Sequence, residues 1–141
     1  MKNGGGVTFR QFLGLERWER EDILCFLEEC SFLEALEHNQ KLYILVHAGL
    51  SNFSSQKELD EYSIGECVWE KTDYQRQYFN SERIFLVTGH TPVQTIRPDK
   101  LPIVYTENQH IALDCGCVFG GRLAAYCIET GETTYVKRFS Q

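Results

Sequence analysis

The apolar pattern of the chain is helix-like in its first forty residues and strand-like after them. From Glu21 to Glu37 apolar residues fall at Ile23, Leu24, Phe26, Leu27, Cys30, Leu33 and Leu36. Steps of three and four place them on one face, with Glu28, Glu29, Glu34 and Glu37 opposite, which predicts an amphipathic helix. Leu42-Tyr43-Ile44-Leu45-Val46 is a short unbroken apolar run. Such a run predicts a strand covered on both faces. A polar loop from Ser51 leads to Ser63, which with Glu66 has the spacing of a capping box. That spacing predicts a second helix starting there and reaching Phe79. Ile84-Phe85-Leu86-Val87-Thr88 repeats the buried-strand pattern. Residues 103–106, 110–114, 122–128 and 133–139 read as a meander of strands. Glu129-Thr130-Gly131-Glu132 is its last turn, with Gly131 free to take positive φ. The expected fold class is α/β in one domain: a helical segment over 1–40, then a sheet-rich part over 41–141 that ends in antiparallel strands.

Composition narrows the function classes. The chain has 141 residues, 43% hydrophobic and 24% charged, with a net charge of −6. That is enough chain for a sizeable core, and its composition is that of a folded domain. The 14 Lys and Arg residues are scattered without a run. Phosphate backbones demand clustered basic residues, so no nucleic-acid partner is expected. No stretch approaches the roughly 20 apolar residues of a membrane span, so no membrane partner is expected either. Met1-Lys2-Asn3 followed by glycines has no signal-peptide pattern. The six cysteines contain no C-x-x-C pair. They are expected to be reduced and mostly buried, Cys25 and Cys127 included, in a cytoplasmic protein. Cys115-Gly116-Cys117 offers two thiolates, but no partner pair accompanies them.

The candidate chemistry lies at two strand ends. His47 directly follows the first buried strand, and His90 follows the second with one glycine between. Ala48 and Gly49 flank the first, Gly89 and Pro92 the second. A strand end holds its residue firmly, while the next loop leaves the side chain open to a cleft. Neutral imidazole ligates Mn, Fe or Zn well. A lone histidine is more often structural than a ligand, but two in matching positions point toward one ion.

Val46-His47-Ala48-Gly49-Leu50 and Thr88-Gly89-His90-Thr91-Pro92-Val93 resemble the two late histidine motifs of calcineurin-like metallophosphoesterases. The bacterial and phage serine/threonine protein phosphatases are the most similar branch, and the symmetrical diadenosine tetraphosphatases share such motifs. The run from Ile111 to Leu123, with Asp114-Cys115-Gly116-Cys117-Val118-Phe119-Gly120-Gly121-Arg122 inside it, resembles the family's closing strand pair. Asn3-Gly4-Gly5 with Thr8 is similar to the stretch after its Asn-His motif, and Trp69 to Phe79 also matches. The resemblance implies the carboxy-terminal half of a metallophosphoesterase β-sandwich flanked by helices. It implies that His47 and His90 ligate one of two divalent ions, manganese first, with iron or zinc as alternatives. It places Lys71 where relatives carry an arginine that positions the phosphate. Asp114 is expected to support the cleft from a strand end, His110 to be structural, and Arg122 to be a surface or bridging charge.

In that family a hydroxide held by two ions attacks the phosphorus, and a histidine protonates the leaving group. The carboxylates and that histidine belong to D-x-H, G-D-x-x-D-R-G and G-N-H-[DE] motifs. None of these occurs among the 141 residues. The chain therefore corresponds to the family from roughly a hundred residues onward. The expected substrate is a phosphorylated protein or a small phosphoester. The expected partner is a missing amino-terminal half or another chain, and without it apolar surface around Val46 and Val87 is expected to be exposed. A non-catalytic scaffold of the same fold, a diadenosine tetraphosphatase-like hydrolase, and an unrelated site using His47, His90, Cys115 and Cys117 are the alternatives.

Overall fold

The computed structural model describes residues 5–138. The chain divides into two compact units, Met1–Ser31 and Phe32–Gln141. The first contains helices α1 (Gly6–Leu13) and α2 (Arg17–Glu29). Glu16 and Glu19 form a capping box at the start of α2. No residue of either helix is buried. The Asn3-Gly4 part of the motif noted above lies outside the described residues.

The helix expected over 21–37 ends early. At Cys30 the backbone turns extended, with ψ 129°. Residues Leu33–His38 form strand β1 and pair antiparallel with β2 (Lys41–Val46). The join is a two-residue turn in which Asn39 and Gln40 both have positive φ, 47° and 61°. This is the geometry that matches strand twist in tight hairpins. Leu, Glu and Ala are good helix formers, but pairing with an apolar neighbour overrides that local preference here.

The larger unit is built on a four-stranded mixed sheet of order β1-β2-β3-β4, with β3 at Ile84–Thr88 and β4 at His110–Ala112. Strands β2, β3 and β4 are parallel. A separate antiparallel pair joins β5 (Arg122–Tyr126) to β6 (Thr133–Lys137). Their connection contains Gly131 at φ 74°, as the turn requires. The 103–106 strand is reduced to one bridge between Tyr105 and Ala112. Phe139 lies outside the described residues.

Both faces of the central strands are covered. Tyr43, Val87, Val93, Val104, Tyr105 and Ile111 form one core, against which Tyr126 and Tyr135 of the hairpin pack. Ile44, Val46, Leu50, Tyr62, Cys67 and Leu86 form the other. The expectation of exposed apolar surface around Val46 and Val87 is corrected, because both are buried. Residues 50–68 with Tyr78 and Phe79 pack in the second core, and Tyr74, residues 93–105 and the hairpin pack in the first. Among the described residues no helix is long and apolar enough to cross a membrane.

The helix begun at Ser63 is α3 (Ile64–Val68), and it stops well short of Phe79. Its capping box forms as expected, with the Ser63 amide and hydroxyl donating to Glu66 at 2.9 and 2.8 Å. The Lys57 ammonium, 2.7 Å away, and these Ser63 bonds hold the Glu66 carboxyl at about 2. Beyond Trp69 the segment Glu70-Lys71-Thr72-Asp73 has no apolar stripe to bury, so the helix ends.

All six cysteines are free. Cys67 and Cys115 are buried and Cys117 partly so, whereas Cys25, Cys30 and Cys127 are exposed. The expectation of mostly buried thiols, Cys25 and Cys127 among them, is thereby corrected. Cys25 and Cys30 belong to the small unit, in which no helix residue is buried. Cys127 lies just past β5, on the way into the turn.

Candidate functional site

Parallel pairing determines where the site forms. Val46 and Thr88 are partners in the β2–β3 register, so the two strands end level. Carboxyl ends of adjacent parallel strands are where open α/β sheets place their ligand sites. His47 leaves one end and His90 the other. The Gly89 amide donates to the His47 carbonyl at 2.9 Å, which carries the ladder one step past the strands. The histidines are brought together: His47 Nε2 and His90 Nδ1 are 3.1 Å apart, with ring centroids at 5.0 Å and planes at 61°. Both residues are exposed. The Trp69 ring stands 6.5 Å from that of His90.

His90 is held in a conformation that its residue type rarely adopts. Its φ is 61°, and the Thr91 amide donates back across it to the Gly89 carbonyl at 2.6 Å. A left-handed non-glycine residue costs on the order of 1–3 kcal/mol and persists where its surroundings over-determine it. Thr91 and Val93 on its far side are buried, and the Val93 amide donates to the Asp114 carbonyl at 2.8 Å.

His47 is fixed through the residues after it. The Ala48 amide donates to the Cys67 carbonyl at 2.8 Å, so the end of α3 anchors this loop. The Thr72 hydroxyl donates to the Ala48 carbonyl at 2.8 Å. A Cβ placed on Gly49 would overlap that hydroxyl, so glycine is needed for the close approach. Tyr74 shares a 2.9 Å hydrogen bond with Thr88. Burial raises the Tyr74 hydroxyl above its usual range and keeps it neutral.

The other sequence candidates have settings of their own. Lys71 is exposed and lines an open cleft of about 320 Å³ with Thr72, Asp73, Tyr74 and Gln75. Thr91, Thr95 and Ile96, which follow His90, line it as well. Asp114 lies two residues past β4, and its carboxylate accepts from the Gly116 amide at 2.9 Å. His110 is buried at the start of β4, its Nε2 donating to the Arg76 carbonyl at 2.8 Å. Arg122 lies over the Tyr135 ring at 5.6 Å. Thr72 and Tyr74 escaped the sequence reading; they are two buried residues, two positions apart, in an otherwise polar stretch.

The donor set can be tested against a metal ion. Two nitrogens each about 2.1 Å from one ion stand about 3.0 Å apart at a right angle and about 3.4 Å apart at the tetrahedral angle. In the metal-free chain the 3.1 Å contact is a hydrogen bond between the two rings, and as a distance it also lies inside the range for neighbouring ligands of one ion. Among the described residues no group of three or more His, Cys, Asp or Glu side chains converges. His47, His90, Cys115 and Cys117 therefore do not form one ligand group. The two imidazoles make part of a site, and further donors are needed to hold an ion well.

No protein-family model matches the chain, and no curated protein matches it.

Proposed function

We propose that this chain supplies the two-histidine part of a dinuclear phosphoesterase centre, of the metallophosphoesterase fold and serine/threonine protein phosphatase kind. One observation carries the reading: His47 and His90 meet at 3.1 Å on level ends of parallel strands, from two motifs 43 residues apart. In this reading both imidazoles ligate one divalent ion, manganese foremost. Divalent ions supply a nucleophile at neutral pH and neutralise charge on the phosphoryl oxygens. The chain's own part is to orient the imidazoles rigidly and to wall the adjacent cleft. Lys71 on that wall offers a point charge to a phosphate oxygen, where an arginine would offer a two-pronged fork. Substrates are phosphorylated proteins or small phosphoesters.

The bridging carboxylates and the general-acid histidine come from a segment bearing the D-x-H, G-D-x-x-D-R-G and G-N-H-[DE] motifs, which these 141 residues do not contain. Six free thiols suit a reducing compartment, and we place the protein in the cytoplasm. The test is p-nitrophenyl phosphate hydrolysis with manganese. The chain by itself is expected to be nearly inactive. Joined to a segment carrying the three motifs, it is expected to turn over substrate and to lose that activity in His47→Ala. Absence of manganese-dependent hydrolysis in the joined chain would sink the proposal.

A further inference from the structure

We infer that Thr72 and Tyr74 are positioning residues, a pair of hydroxyls in one segment that together set the spacing of His47 and His90. The inference rests on the two-histidine metal reading. Thr72 acts on the loop after β2: its hydroxyl holds the carbonyl of Ala48, the residue next to His47, at 2.8 Å. Tyr74 acts on the end of β3: its hydroxyl holds Thr88, two residues before His90, at 2.9 Å. Both residues are buried, so both bonds are largely shielded from water.

The segment is itself anchored. The Tyr74 carbonyl accepts from Asn108 Nδ2 at 3.0 Å, and the Tyr74 ring packs edge-on against Tyr105 and His110 at 5.7 and 5.2 Å. One rigid strip, fixed near β4, therefore reaches both loops that carry the imidazoles. Gly49 leaves the room that lets the Thr72 hydroxyl approach the first loop. The backbone tie between the loops is the Gly89-to-His47 bond at 2.9 Å. Two strand ends tied there alone would still let the loops splay. The clamp closes the frame, and its effect on an ion passes through the Ala48 carbonyl and the Thr88 side-chain hydroxyl, because neither clamp hydroxyl bonds to an imidazole.

Cobalt(II) titration followed by its visible absorption tests this, with thermal melts of the same samples. Removing supporting groups around metal ligands typically lowers affinity about 10–100-fold. Thr72→Val and Tyr74→Phe are each expected to weaken cobalt binding by about that range. Thr72→Ser is expected to restore it, since the hydroxyl returns. Folded variants that bind cobalt as the parent does, and lose only melting temperature, would overturn the clamp. Should Thr72→Val fail to fold, Tyr74→Phe and Thr72→Ser carry the comparison. If the parent chain takes up no cobalt, the two imidazoles do not hold an ion without the further donors, and the metal reading is decided by manganese-dependent hydrolysis in the joined chain. The clamp is then decided by ¹⁵N imidazole spectra of the metal-free chain. Loss of the His47–His90 hydrogen-bond signature in Tyr74→Phe supports it, and an unchanged spectrum overturns it.

Discussion

His47 Nε2 and His90 Nδ1 face each other at 3.1 Å, although 43 residues separate them in the chain. The contact follows from strand register, since Val46 pairs with Thr88 and each histidine leaves its strand at the same sheet edge. Both side chains are exposed, so neither is there to fill a core. His47→Ala is expected to change stability by less than about 0.5 kcal/mol, as exposed substitutions usually do. For His90 the better substitution is asparagine, which tolerates the left-handed backbone seen at φ 61°. Urea melts should show both variants close to the parent, while cobalt uptake is lost in each. A variant that unfolds instead would mean that the pair is structural.

Gly49 faces Thr72 so closely that an added methyl has no room. Gly49→Ala is expected to destabilise the fold by about 1–3 kcal/mol, the usual range for overpacking. Thr72→Ala in the same chain removes the overlapping hydroxyl and should recover part of that loss. A double-mutant cycle by urea denaturation measures the coupling. Additive losses would show that the two residues do not interact as described.

His110 ties stability to pH. It is buried, and burial lowers its pKa below the ordinary 6.5. The unfolded chain therefore takes up a proton near pH 6.5 that the folded chain resists. The stabilisation is fully present above that pH and is lost as pH falls from about 6.5 toward the lowered folded value. Melting temperatures should decline between pH 7 and 5.5, and His110→Gln should flatten that decline. An equal slope in the variant would assign the effect to other groups.

The two parallel strands and the histidines at their ends were legible in the sequence, and the reason is physical. Leu42 to Val46 and Ile84 to Val87 are apolar at every position because both sheet faces are covered, so the strands declare themselves. The histidines then stand at strand ends by counting alone. The capping box at Ser63 and the turn at Gly131 are likewise local, and both form. Two features set by distant contacts misled the reading. Residues Leu33–His38 carry helix-forming side chains yet join the sheet, because the Asn39-Gln40 turn folds them onto β2. The segment 69–79 abandons the helix so that Thr72 and Tyr74 can reach the strand ends. Side-chain hydrogen bonds to residues distant in sequence leave little periodic trace, and so this clamp was missed.

Thiol chemistry offers an independent check on the fold. Cys25, Cys30 and Cys127 are exposed, whereas Cys67 and Cys115 are buried with thiols pushed above their usual range. Thiolate is the reactive form, so accessibility and ionisation act together. Brief treatment with iodoacetamide at pH 7.5, followed by peptide mass analysis, should modify the three exposed residues first. Early modification of Cys67 would contradict its place beneath the His47 loop.

The most direct measurement counts imidazoles on a bound ion. Pulsed electron paramagnetic resonance of the chain loaded with copper(II) or manganese(II), with histidines labelled in ¹⁵N, reports each ligating ring. The account predicts two histidine nitrogens on one ion in the parent chain, and one after His47→Ala or His90→Asn. Coordination by no histidine, or a count unmoved by those substitutions, would contradict it.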